Sequence, residues 1–270
     1  MSSKKCYTDL IFIFQPENRK LMLKKIKIIR EGRKFIGNLS FNFPFYRIYP
    51  YKGKSYIRDI DQRGLVDFEL GIFFNRIRKS ANSTVVINLA DLKYGRQIPS
   101  LKAKKYFMRP SQISFEQMND FEKLFKFTIV RNPYTRTLSA YLDKIVRRKA
   151  VIPSFNYKSD RIPSFLDFCK YLEHEGLYEN SHWAPQTDVL LLPIVSFDYI
   201  GKLESLDEDL RWIFNHIAPQ RNLHTLRSHI PHQTNANKKL SQYYDDHSRQ
   251  IVASLYKDDF DIFGYSVELK

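Results

Sequence analysis

The stretch FFNRIRKSANSTVVINLADL, residues 73–92, passes from an apolar, strand-like run through a short polar loop into a helix-like segment, and it contains no glycine. A nucleoside-triphosphate loop of the GxxxxGK[ST] kind sets glycines ahead of its lysine; here Lys79 comes first and no glycine accompanies it. An anion can also be held at a helix N-terminus, where unsatisfied N–H groups and the helix dipole meet it. Lys79, Ser80, Ser83 and Thr84 would add an ammonium group and three hydroxyls to such a terminus. The stretch therefore reads as a phosphate-binding loop, and it argues against an ATPase or a kinase.

A second strand-to-helix passage lies at KFTIVRNPYTRTLSAY, residues 126–141. Asn132 is a favoured N-cap and Pro133 suits the first helical position, so a strand is predicted to end at Arg131 and a helix to begin at once. Arg131 then sits at the carboxyl end of a strand, the place where open α/β sheets bind ligands. Its planar fork suits a phosphate, with a structural salt bridge as the competing use. Ser139, two turns into the helix, is placed to face the same anion.

Around these two passages the sequence alternates strand-like and helix-like segments. FELGIFF (68–74) and KFTIV (126–130) read as buried strands, TVVINLADLKYG as a helix stopped at Gly95, and 164–175, 205–217 and 241–256 as further helices. The predicted class is α/β, a central parallel sheet flanked by helices over residues 66–270. Residues 1–65 are predicted to form a β-rich segment, because KKIKIIREGRKFIGNL alternates apolar and basic residues about a turn and PYKGKSYIRDI repeats the pattern. The aromatic residues of FNFPFYRIYPY are assigned first to packing, with contact to a ligand as the alternative. At 270 residues and 43% apolar, the chain has material for a full core.

The net charge of +15 is concentrated at one end. Residues 1–65 carry fifteen Lys or Arg against five Asp or Glu, and the remaining residues carry 29 against 24. This basic segment predicts a polyanionic partner, an acidic glycan, an anionic lipid surface or nucleic acid, with solvated lysine as the competing reading. No nucleic-acid recognition motif accompanies it. Cys6 and Cys169 have neither metal-ligand nor disulfide-framework spacing, so no metal is expected. The apolar run Leu10–Phe14 is too short for a leader or a span, and a soluble, cytoplasmic protein is expected.

RIRKSANST (76–84) resembles the loop R-I-P-K-A-A-N-S-S or P-K-T-G-S-T of the family 2 carbohydrate sulfotransferases, bacterial and Golgi type, which use 3′-phosphoadenosine 5′-phosphosulfate (PAPS). VRNPYTRTLSAY (130–141) resembles that family's V-R-N-P-x-x-R-x-x-S-A-Y. NSHWAPQTDVL followed by YIGKLESLDEDL, and LYKDDFDIFGY near the end, look similar to two further blocks, all in the family's order. The resemblance implies a P-loop-like sulfotransferase fold and transfer of a sulfuryl group from PAPS to a hydroxyl of a carbohydrate or glycolipid. It implies that Lys79, Ser80, Ala81, Asn82, Ser83 and Thr84 hold the 5′-phosphosulfate, to which Arg78, standing where the family has proline, would add a second cation, and that Arg131 and Ser139 hold the 3′-phosphate. Lys79 would neutralise charge on the leaving oxygen without a metal.

The acceptor hydroxyl needs a base. His182 in NSHWAPQ is the first candidate and Glu116 the alternative, while packing beside Trp183 is the competing use of His182. Gly201, Lys202 and Glu204 read as a turn and helix start rather than as ligand contacts, and Lys238 or Lys239 could close over the 3′-phosphate, with a solvated loop as the favoured reading. Arg78 departs from the family, which usually has proline before the loop lysine. That departure keeps a second reading open, a sulfotransferase-like protein that binds nucleotide or polyanion without turnover.

Overall fold

The structure, a computed structural model, describes residues 42–148, 162–220, 226–227 and 234–269. The basic hairpin expected before residue 40 and Cys6 lie outside those residues.

Four strands form one sheet in the order β1 (Gly64–Asp67), β2 (Ile72–Asn75), β3 (Phe125–Val130) and β4 (Tyr199–Lys202). β2 pairs with β3, and β3 with β4, in parallel; β1 runs antiparallel to β2. The sheet is thus mostly parallel, as expected, with an antiparallel edge. FELGIFF is not one strand. Asp67 Oδ1 accepts the Leu70 N–H at 2.9 Å and Gly71 takes a positive φ of 66°, so Phe68–Gly71 turn the chain back and only Ile72–Asn75 extend.

Helices α1 (Asn82–Tyr94), α2 (Pro133–Tyr141), α3 (Phe165–Tyr171), α4 (Leu206–Ile217), α5 (Asp246–Leu255) and α6 (Lys257–Phe263) surround the sheet. α1 ends where expected, with Gly95 left-handed at φ 64°. The segment expected as one helix over 241–256 is broken at Tyr244 and Asp245; Asp245 caps α5 by accepting the Ser248 N–H at 2.7 Å.

Strand alternation distributes the core. Ile72, Phe74, Phe127 and Ile129 face one layer with α1 and α4, whereas Phe73, Val66 and Val130 face another with Phe45, Ile60, Phe121 and Leu190–Leu192. A third cluster joins α2, α3, α5 and α6 through Tyr134, Phe168, Trp183 and Tyr256. In the described part of the basic segment the expected strands are absent: Pro44–Ile48 and Ile57–Asp61 are short helices. Ile57 and Ile60 fall three residues apart on one helical face, Phe45 and Tyr46 are neighbours in the first helix, and all four are buried in the layer that packs on Val66 and Phe73 of the sheet. Packing, the use assigned to the aromatics of this segment, is what Phe45 and Tyr46 do.

Candidate functional site

Both loops singled out in the sequence leave the carboxyl ends of adjacent parallel strands, β2 and β3, and so share one edge of the sheet. The glycine-free loop nevertheless takes glycine-like conformations: Lys79 has φ 69° and Ala81 φ 49°. Each left-handed non-glycine residue costs on the order of 1 kcal/mol, and such strain gathers at functional sites. Ala81 occupies the N-cap of α1 and offers no side-chain acceptor to the first amides of the helix. Asn82 Oδ1 is buried and, among the described residues, has no hydrogen-bond partner. Ser80 is fully buried, its hydroxyl directed to Gln186 Oε1 at 3.4 Å, so it faces inward while Ser83 and Thr84 begin the helix.

Asn132 caps α2 as expected, accepting the Tyr134 N–H at 2.9 Å, with Pro133 at the first position. Arg131 is 7% exposed. It donates to Thr135 Oγ1 at 2.8 Å, to the Lys79 carbonyl at 3.1 Å and to Asn237 Oδ1 at 3.0 Å. Burial pulls its pKa down to about 10 against the pull of Glu204. Ser139 shares a 2.9 Å hydrogen bond with Thr234. Arg131 and Ser139 are therefore brought together by one short segment, Thr234–Asn237, which partners both. Lys238, by contrast, is exposed.

Past α2 the helix widens into a π-helical turn, Leu142–Arg147, a feature often found at functional sites. It carries Asp143, whose Oδ2 lies 3.3 Å from Lys79 Nζ and 3.3 Å from Lys144 Nζ, while Arg147 and Arg148 pair with Oδ1. Burial alone would raise the Asp143 carboxyl; the hydrogen bond from Arg147 and the charges of Lys79 and Lys144 outweigh it and hold the group below the usual carboxylate range. Burial lowers Lys79 to about 8; Asp143 opposes the shift, and Arg131 and Lys144 add to it.

His182 stands beside this cluster. Its Nδ1 lies 2.7 Å from Asn180 Oδ1 and its Nε2 2.7 Å from Arg78 Nη1. Burial first, then the charges of Arg78, Lys144 and Lys79, hold its pKa far below the ordinary histidine value, so the ring is neutral. Glu116 is solvent-exposed, its carboxylate lowered by Ser114, and none of these groups contacts it. Of the two candidate bases, only His182 is brought to the loop.

Three residues that sequence reasoning passed over hold the site together. Gln186, fully buried, accepts the Arg131 N–H at 2.9 Å and donates to the Arg131 carbonyl at 2.8 Å, extending the end of β3 with a side-chain amide. Asp259 accepts from the main-chain N–H groups of Gln186 at 2.7 Å and Thr187 at 2.9 Å. Arg136, 1% exposed, donates to three carbonyls, those of Arg78 at 3.1 Å, Ala184 at 2.8 Å and Ser181 at 3.4 Å. Glu204 accepts from the Asn132 N–H at 2.9 Å and from Tyr265 at 2.9 Å, in line with a structural use of its block. In Gly201 a Cβ would lie 2.6 Å from Ile129. The sequence signal for all of these is their membership in the resembling blocks: each block bonds to another.

The site can hold two anions: one at Lys79 and the start of α1, one at Arg131 and Ser139. Its donors are an ammonium, a guanidinium, hydroxyls and main-chain amides, chemistry that fits phosphate or sulfate oxygens. Among the described residues no group of His, Cys, Asp and Glu has the arrangement of a metal site, and no helix is long and apolar enough to cross a membrane.

Residues 62–266 match the family described as the sulfotransferase family. Carbohydrate sulfotransferase 12 of Xenopus laevis is 28% identical over 303 aligned positions, covering 88% of this chain and 69% of that protein. Carbohydrate sulfotransferase 10 of Xenopus laevis is 29% identical over 186, covering 58% and 52%. Carbohydrate sulfotransferase 8 of Homo sapiens is 24% identical over 213, covering 69% and 48%. Apart from the first of these, the chain spans about half the length of these relatives. No solved structure matches.

Proposed function

The chain belongs to the sulfotransferase family, and from that premise we propose that it transfers a sulfuryl group from PAPS to a hydroxyl of a carbohydrate or glycolipid acceptor. The observation that carries this reading is the joined pair of anion loops, with Lys79 and Arg131 at adjacent strand ends and Arg131 bonded to the Lys79 carbonyl. PAPS, when bound, supplies an activated sulfuryl group on a phosphate leaving group.

The residues have separate tasks. Lys79 and the first turn of α1 hold the phosphosulfate and balance charge on the oxygen that leaves. Arg131 and Ser139 hold the 3′-phosphate, exchanging their bonds to Asn237 and Thr234 for bonds to the anion. His182 accepts the acceptor hydroxyl proton at Nε2 while its Nδ1–H rests on Asn180. Asp143 keeps Lys79 aimed. Lys144 adds positive charge near His182, and the half-exposed Arg147 and Arg148 add it around Asp143, which favours an acceptor bearing a carboxylate or sulfate.

The basic N-terminal segment is assigned to the same acidic acceptor or to an anionic membrane surface. A cytoplasmic setting belongs to this reading too, resting on two distant cysteines, of which Cys169 is a buried free thiol. The test is transfer of labelled sulfate from PAPS to a panel of acidic glycans and glycolipid headgroups by the full chain, with Lys79→Ala as control. Transfer that survives Lys79→Ala would sink the assignment.

One observation favours the second reading, a nucleotide binder without turnover: the Arg78 guanidinium is packed against the ring of the candidate base, its Nη1 2.7 Å from Nε2 and 3.3 Å from Nδ1. Tight binding of adenosine 3′,5′-bisphosphate by calorimetry, with no transfer to any acceptor in the panel, would select it.

A further inference from the structure

The antiparallel pairing of β1 and β2 runs on past its end pair, Gly64 with Asn75, and sets Arg63 opposite Arg76, whose N–H donates to the Arg63 carbonyl at 2.8 Å. Like charges facing each other across two strands repel. Both arginines are 7% exposed, so solvent screens the repulsion little. They stand at the sheet edge from which the Lys79 loop leaves, and neither belongs to the two anion positions described above.

Their hydrogen bonds hold these side chains without neutralising them. Arg76 donates to the carbonyls of Gln62 and Arg63, and Arg63 donates to the Asp59 carbonyl at 3.1 Å. A carbonyl fixes the plane of a guanidinium and leaves its charge in place. The carboxylate that pairs with Arg63, Asp59 at 3.5 Å, gives the same oxygen to Arg78 at 3.3 Å. Asp61, the other carboxylate of the short helix Ile57–Asp61, is taken by the Tyr46 hydroxyl at 3.0 Å and by Ser111.

Two exposed cations join this pair. Met108 bridges to Val66 of β1 and so brings in Arg109, whose charge acts on Arg63 and Arg76. Lys104 is acted on by Arg76, Arg63 and Arg78. Burial first, and then the neighbouring cations, lower Arg76 to about 9. Arg63, Arg76, Lys104 and Arg109 thus gather about one carboxylate that is already shared with Arg78, whereas buried charge is ordinarily paired. The cluster is also tied to the candidate base: Asp59 accepts from the Ser181 hydroxyl at 2.5 Å, and Ser181 immediately precedes His182.

We infer that Arg63, Arg76, Lys104 and Arg109 form a third anion site, which seats a carboxylate or sulfate of the carbohydrate acceptor while its hydroxyl meets His182. The inference rests on the sulfotransferase reading above and assigns residues to acceptor choice. The buried pair supplies a fixed positive field, and the exposed pair makes the contacts. No bond is made or broken there. An acceptor with an acid group in reach of this cluster is selected over its neutral counterpart.

The test is calorimetric binding of two saccharides to the full chain saturated with adenosine 3′,5′-bisphosphate, whose phosphates fill the positions at Lys79 and Arg131. One probe is a hyaluronan hexasaccharide, with a glucuronate on alternate sugars; the other is the same hexasaccharide with its carboxyl groups reduced to alcohols. Wild type is expected to bind the acidic probe about tenfold or more tightly than the neutral one. Lys104→Ala with Arg109→Ala, both at exposed positions, should remove that preference and leave affinity for the neutral probe and the nucleotide unchanged. A wild type with no preference, or a variant that keeps it, would overturn the site.

A second variant separates a built site from the general charge of the molecule. Arg147→Ala with Arg148→Ala removes the same charge near Asp143, to which both arginines are already paired. It should cost the acidic probe less, and an equal or larger loss would overturn the proposal. Neither readout requires turnover. If the bisphosphate does not bind and the acidic probe shows the same pattern without it, the functional reading fails and the third anion site stands.

Discussion

The Arg131 guanidinium donates to the main-chain carbonyl of Lys79 at 3.1 Å, so a side chain of one anion loop holds the backbone of the other. The two anion positions are thereby fixed to each other, and a ligand with two anionic ends meets a spacing already set.

Truncating that link is expected to act on both ends. Arg131→Ala should weaken adenosine 3′,5′-bisphosphate about 10- to 100-fold by calorimetry, the range for losing hydrogen bonds to a charged group. Arg131→Lys keeps the charge and loses the fork, and it should recover only part of the affinity. Unchanged affinity in Arg131→Ala would remove the residue from the binding site.

Lys79 carries a pH signature. Burial sets it near 8 in the free protein, so the ammonium is present below that pH and lost above it. The kcat/KM profile, which reports the free enzyme, should therefore fall as pH rises through about 8. A bound dianion favours the ammonium, so the corresponding limb in kcat should lie at higher pH. Lys79→Arg should abolish the limb, and Lys79→Ala should lower kcat about 100- to 1,000-fold. A wild-type kcat/KM that stays flat well past this pH would show that the ammonium is not needed.

The two candidate bases are separable by single substitutions. His182→Ala should reduce kcat about 100- to 10,000-fold, as for loss of a general base. Glu116→Ala should leave it unchanged, since that carboxylate is exposed and apart from the loop groups. The reverse result would transfer the role to Glu116.

Ala81→Gly tests the strain in the loop. Glycine adopts φ 49° without the steric penalty alanine meets there. Set against the greater freedom glycine gives the unfolded chain, the variant should gain about 0.5–1 kcal/mol in denaturant unfolding. A loss of stability would show that the alanine methyl packs usefully at the start of α1.

What was legible in the sequence was local. The Asn132–Pro133 cap and the Gly95 stop depend on neighbours within a few residues, and each appears where expected. What was not legible depends on distant partners. Gln186 matters because it meets Arg131, 55 residues away, and Arg78 because it meets His182, 104 residues away. The π-helical turn Leu142–Arg147 continues α2 without a sequence signal of its own, since Leu142 and Ile145 keep the apolar spacing of an ordinary helix. FELGIFF misled for a related reason: a buried turn is as apolar as a buried strand, and Gly71 was its only signal.

Arg136 has a consequence beyond holding three carbonyls. It is a cation sealed beneath the loop, bonded to the carbonyl of Arg78 and to two others, with its nearest compensation the more distant carboxylate of Asp259. Its charge is immobile and shielded from water, so the positive potential at the loop exists before any ligand arrives. An incoming sulfonate meets a field already built and need not drag solvent or side chains into place, which is the condition under which electrostatics lowers a barrier most.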